Sequence, residues 1–388
     1  MPLSAHQAAN RWIASAWDAE ALPASEAIPW ADALRVVLAS NVGALVYAVT
    51  ARQRGALPDE ARQALAQAFY GTAAANARCL QQLGQVQEAL AAVGIPLLLL
   101  KGAALAQTLY SDVALRLIGD LDVAVRPEDV AAARQVLLGM GYTPGQLEER
   151  PGSLQKYSNQ ELFAPPAPHS APLELHWHIL DVPYYLHSVP MAWFWEHSEP
   201  LLPQSELVRV LDPVANLLYL PAHLALHHRY DRLHGFCDLA LLVARHGAKV
   251  DWHQIAAEAQ RFELLTALRE TLGRLAQRWP TLPLGEALAA AAALAPTAND
   301  ARLYRLLTAE PRNTSLHLYT TLVSLPGARA RARFLWTQLF PEPRYMVARY
   351  GIRSRWQLPG WYLVRLAGGL WRLLGKAPRL WRAECGRR

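Results

Sequence analysis

Between residues 97 and 125 the chain reads LLLLKGAALAQTLYSDVALRLIGDLDVAV, two apolar runs separated by a Lys101-Gly102 turn, with Asp120 and Asp122 set inside the second run. Side chains on a strand alternate between faces, so residues two apart project together. Asp120 and Asp122 would share one face of an extended strand while Leu121, Val123 and Val125 face a core. Two carboxylates held this close resist ionising together unless a cation sits between them. Hard oxygen ligands suit Mg²⁺, above all when substrate phosphates complete its shell. The pair is a candidate metal clamp.

The surrounding pattern predicts an α+β chain. Leu97 to Leu100 reads as a buried strand, Ala103 to Tyr110 as a short helix and Ile118 to Val125 as a second strand. Pro127, Glu128 and Asp129 open a helix that runs to Met140 and closes at Gly141. Residues 155–163 and 172–179 are further strand candidates, parted by the turn-rich APPAPHSAP stretch. Strands interleaved with helices over 94–182 imply one compact unit on a small mixed sheet. Residues 1–93 read as helices: Trp30 to Thr50 has apolar residues at helical spacing, and Pro58-Asp59-Glu60 opens an alanine-rich segment to about Val93, stopped by Gly94 and Pro96. From Val189 onward strand signals fade, so 189–310 reads as a helical domain and 311–388 as a basic, Trp- and Arg-rich C-terminal region. A chain of 388 residues, 52% of them hydrophobic, holds material for two or three packed units.

About fifty residues after the aspartates comes Leu173-Glu174-Leu175-His176-Trp177-His178-Ile179, in which polar and apolar residues alternate throughout. Period two places Glu174, His176 and His178 on one face and the apolar residues on the other. Beside the strand bearing Asp120 and Asp122 it would build a three-carboxylate cleft. Such a cleft can hold one or two Mg²⁺ ions, which organise a nucleoside triphosphate and stabilise the attacking and leaving oxygens of phosphoryl or nucleotidyl transfer. His176 and His178 are candidates for a base or a phosphate contact.

The order of an apolar strand, a glycine turn and helix, a strand with alternating aspartates and a later acid resembles the nucleotidyltransferase superfamily related to DNA polymerase β. More narrowly, Leu100-Lys101-Gly102-Ala103-Ala104-Leu105, Tyr110, Arg116, Gly119-Asp120-Leu121-Asp122, Gly141-Tyr142, Leu175-His176-Trp177 and the His223 to Asp238 stretch resemble a largely uncharacterised bacterial family with an LKG-then-DxD signature, over roughly residues 90–260. The resemblance implies a nucleotidyltransferase-type sheet and transfer of a nucleoside monophosphate from an NTP such as ATP to an acceptor hydroxyl. It implies Asp120 and Asp122 as metal ligands and Glu174 as the third acid, which would help bind the second metal and lower the pKa of the attacking hydroxyl. The superfamily usually has Gly-Ser where this chain has Lys101-Gly102. A backbone turn can still cradle phosphate, with Lys101 pairing as a point charge. Arg116 is the second candidate phosphate contact, with a structural pair to Asp112 as its alternative. A module of the same fold that binds nucleotide or a partner without turnover is the rival function. The acceptor, whether small molecule, sugar or protein, is unassigned.

His223 and His227, four apart, would share a helix face suited to joint metal ligation, although no HExxH glutamate lies between them; core histidines are the alternative. Asp238 reads as a helix-packing residue bonded to one of these histidines. Cys79, Cys237 and Cys385 have no CxxC spacing, which argues against a disulfide framework and a zinc knuckle and fits a reducing cytoplasm. The start of the chain lacks a basic head before an apolar core, so no signal peptide is expected, and no uncharged run reaches the roughly 20 apolar residues of a spanning helix. The net charge of +6 is uneven: residues 327–388 hold 14 Lys+Arg against 2 Asp+Glu, leaving 24 against 30 in the rest. In 361–382, Trp361, Leu370, Trp371 and Leu374 approximate an apolar face, with Arg365, Arg372 and Lys376 available to anionic headgroups. Peripheral membrane or partner contact is one expectation for this tail, packing onto the acidic body another, and nucleic-acid contact a third.

Overall fold

The computed structural model describes residues 3–18, 29–51, 57–203, 205–309 and 314–374. Seven strands form one mixed sheet: β1 (Leu97–Leu99), β2 (Leu121–Ala124), β3 (Thr143–Pro144), β4 (Gln160–Ala164), β5 (Leu173–His176), β6 (Ser198–Leu202) and β7 (Ser205–Leu211), in the order β3-β4-β5-β2-β1-β7-β6. β1 is antiparallel to β2 and parallel to β7, and β2 is parallel to β5. Helices cover both faces, so the central strands are buried on both sides and read as near-continuous apolar runs.

The pleat sorts these runs. Leu97, Leu99, Leu121, Val123, Leu173 and Leu175 join a core with Cys79, Leu83, Val86 and Leu90 of the long helix Asp59–Ala91, and with Val130, Ala133 and Leu137 of the helix Val130–Gly139. Leu98, Leu100 and Ala124 join a second core with the N-terminal helices and the helical half of the chain. Asp122 and Glu174 alternate with residues of the first core and therefore lie on the second face, under the helices Pro213–Ala222 and Leu233–His246.

The α+β architecture with flanking helices agrees with expectation, and the structure corrects four local points. Strands do not end by residue 182: β6 and β7 form a hairpin after Val189, and β7 lies beside β1 inside the sheet. The segment 155–163 is divided, because Ser153–Tyr157 is helical and pairing begins at Gln160. Trp30–Thr50 is two helices, Trp30–Ala39 and Gly43–Thr50, broken at Asn41 where φ is 57°. β5 stops at His176, its last partner on β4 being Gln160, so the alternation does not continue to Ile179.

Cys79 and Cys237 are free and buried. Among the described residues no helix is long and apolar enough to cross a membrane. The helix Leu358–Leu374 folds back through Tyr362, whose hydroxyl donates to the Pro341 carbonyl, and Arg365, whose Nε donates to the Gln338 carbonyl at 2.9 Å. Trp361 packs on Tyr350. Trp361 and Arg365 thus serve internal contacts, while Leu363, Val364 and Trp356 are exposed. The side chains of Leu370, Trp371, Arg372 and Leu374, and all of Lys376, lie outside the described residues.

Candidate active site

The site is assembled from three neighbouring strand ends. In the parallel β2–β5 pair Asp122 stands directly opposite Glu174, and His176 follows two residues on. β1 ends at Leu99, and the Leu100 amide donates to the Asp122 carbonyl at 3.0 Å. Lys101 then opens the helix Lys101–Thr108 with a φ of 45°, a conformation a side-chain-bearing residue holds only when its surroundings impose it. That turn sends its ammonium to the acids: Lys101 Nζ lies 2.5 Å from Asp122 Oδ1 and 3.7 Å from Glu174 Oε2.

His176 Nε2 is 3.0 Å from the same Asp122 Oδ1 and 3.4 Å from Glu174 Oε2. The Asn159 amide sits at 3.4 Å from Nδ1, which leaves Nε2 facing the carboxylates. Asp122 is buried; desolvation opposes its charge, but Lys101 and His176 outweigh that and hold its carboxyl well below the usual range. Lys101 is raised for the complementary reason: burial opposes its charge, and the carboxylates, Asp122 first, more than offset it. His176 is also raised: burial and the Lys101 charge oppose its protonation, and the hydrogen bonds it donates to Asp122 and Glu174 outweigh them.

Asp120 lies at the bend before β2 and lines the same cavity, but stands outside the tight group of Asp122, Glu174 and His176. It makes no hydrogen bond or ion pair among the described residues. Burial first, then the charge of Asp122, pushes its pKa up to about 6. Gly102 lines the wall opposite Arg116. Arg116 pairs with Asp238 and not with Asp112: Nε and Nη2 each reach an Asp238 oxygen at 2.9 Å, and Nη1 donates to the Leu117 carbonyl at 2.5 Å. Tyr110 donates to the same Asp238 at 2.7 Å, and the Asp112 carboxylate accepts from the Ala114 amide. Asp238 is therefore bonded to Arg116 and Tyr110, where a histidine was expected.

His178 leaves the site. Its Nε2 is 3.0 Å from the Val189 carbonyl and its Nδ1 accepts from the Leu180 amide at 3.1 Å, and burial pulls its pKa down to about 4. The opposite wall holds His223, His227 and His228, gathered by a π-turn over His223–His227. The His223 and His227 rings stack at 4.9 Å, and His223 Nε2 lies 3.1 Å from His228 Nε2. Burial, then the Lys101 charge, holds His223 neutral. Among the described residues the three-residue ligand set is Asp122, Glu174 and His176; the histidine wall does not form one.

Two contributors carry no sequence signal. Asn159 precedes β4 and orients His176. Tyr219 is fully buried in an apolar helix, its hydroxyl has no hydrogen-bond partner among the described residues, and it feels the charges of Lys101, Asp122 and Glu174. The cavity measures about 270 Å³, at the small end for a ligand site. Buried and half-buried carboxylates, one with no partner, suit a hard divalent cation, so the donor set fits Mg²⁺.

A family model described as "Uncharacterised nucleotidyltransferase" matches residues 26–280, more than half of the chain. No match is found among the curated proteins or among the solved structures.

Proposed function

The chain belongs to the nucleotidyltransferase family, and we propose that it transfers a nucleoside monophosphate from an NTP to an acceptor hydroxyl in a Mg²⁺-dependent reaction at Asp120, Asp122 and Glu174. The observation that carries this reading is the direct pairing of Asp122 with Glu174 across β2 and β5, with Asp120 lining the same cavity. The acceptor oxygen attacks the α-phosphorus, the bond between that phosphorus and the α,β-bridging oxygen breaks, and pyrophosphate leaves. Mg²⁺, when bound, would neutralise phosphate charge and lower the pKa of the attacking hydroxyl. Asp120 and Asp122 would hold it, His176 would fix the orientation of the carboxylates, and Glu174 would face the attacking hydroxyl. Lys101 and Gly102, at the start of a helix, border the phosphate side. The Arg116 guanidinium joins the sheet to the helical half through Asp238 and Leu117, and the N–H donors of Nη1 and Nη2 that those bonds do not use stay available for a phosphate contact.

A specific observation supports a second reading. Lys101 already neutralises the central carboxylate, as expected of a module that binds nucleotide without turnover. Transfer of label from the α-phosphate to an acceptor panel, with pyrophosphate release, decides between the two. Label transfer lost in Asp122→Asn supports the enzyme. Tight Mg-NTP binding without pyrophosphate from any acceptor would favour the module. Cytoplasmic residence is part of the same proposal.

A further inference from the structure

We propose that the Lys101 ammonium is a tethered cation standing in for one of the two metal ions, so that this site works with a single divalent ion held through Asp120 and Asp122. The proposal rests on the nucleotidyl-transfer reading above and specifies its metal count.

Nζ lies in contact with Asp122 at 2.5 Å and within ion-pair range of Glu174 at 3.7 Å, the two carboxylates that face each other across the strands. A cation bridging that pair would meet a resident charge. Three features keep it there. The positive φ at Lys101 is a fixed backbone bend that aims the side chain inward. The pair is shielded from water, with side chains 16% and 2% exposed, so parting it would leave an uncompensated buried charge. His176 holds the same Asp122 oxygen from the other side.

The other side of the clamp is open. Asp120 lines the cavity, and among the described residues neither Asp120 nor Asp122 Oδ2 makes a hydrogen bond or ion pair. The attacking hydroxyl would then meet Glu174 and an ammonium in place of a second metal.

Mn²⁺ counting on the full chain tests this, by paramagnetic titration with Mn²⁺ alone and with a non-hydrolysable α,β-methylene NTP analogue. Wild type is expected to hold one Mn²⁺ per chain in both series, without the spin coupling of a close metal pair. Lys101→Met, checked for a native circular dichroism spectrum, is expected to hold two, coupled, with the analogue. Two coupled ions in wild type, or one in folded Lys101→Met, overturns the proposal and leaves nucleotidyl transfer standing. If Lys101→Met does not fold, the wild-type count decides alone. No Mn²⁺ bound by wild type in either series overturns the functional reading and this proposal together.

Discussion

Arg116 and Asp238, 122 residues apart in the chain, face each other through two parallel N–H···O bonds of 2.9 Å, tying the loop before β2 to the helix Leu233–His246. Because both are largely buried, removing one strands the other's charge. Asp238→Ala should destabilise the chain by about 3–5 kcal/mol, read from urea unfolding monitored by tryptophan fluorescence. Arg116→Leu combined with Asp238→Leu should recover much of the loss, because no isolated charge remains. Additive losses in the double variant would refute a paired role.

Asp122→Asn should reduce α-phosphate label transfer by about 10²–10³-fold, the scale of losing one preorganised electrostatic group. Chelation of divalent ions should abolish the activity and added Mg²⁺ should restore it. Equal rates in wild type and variant would remove Asp122 from the chemistry.

Asn159→Ala leaves every carboxylate in place but frees His176 Nδ1. Loss of such an orienting contact typically weakens metal binding about 10–100-fold. Calorimetric titration with Mg²⁺ reads this directly, and an unchanged affinity would make Asn159 a packing residue.

His178 sets a pH dependence of stability. Its Nδ1 accepts from the Leu180 amide, so protonation there would set two donors against each other. The folded pKa is pulled down to about 4 from an ordinary 6.5. The unfolded chain therefore binds a proton that the folded chain refuses, and stability falls as pH drops from about 6.5 toward 4. The full shift corresponds to about 3 kcal/mol. Melting temperatures taken between pH 7 and 4.5 should decline less steeply in His178→Gln than in wild type.

The acid pair was legible because period two is a local rule: Asp122 and Glu174 each alternate with core leucines and valines, which fixes their shared face before their pairing is known. Lys101 was visible as a charge at a turn, but its target depends on a positive φ that no neighbouring residue announces. Arg116 found its partner in a distant helix, beyond the reach of any spacing argument. The alternation through His178 misled because a strand lasts only as long as its ladder, and the ladder to β4 ends at His176. β7 was overlooked although Glu206-Leu207-Val208-Arg209-Val210-Leu211 has strand composition, since it follows a region dominated by helical and aromatic signals. Tyr219 offered no cue, because its buried unpaired hydroxyl is a property of the packed state.

The position of β7 also bears on how the chain could be divided. β1 pairs with β2 on one side and takes its other partner from residues more than a hundred positions later. A fragment ending at 182 would leave β1 with an open, wholly apolar edge, the kind of edge that recruits strands from other chains. Closing that edge needs the chain through Leu211, and covering the sheet's second face needs the helices Pro213–Ala222 and Leu233–His246 as well, so truncations for expression should be cut beyond His246, and synthesis must pass Leu211 before the sheet can close.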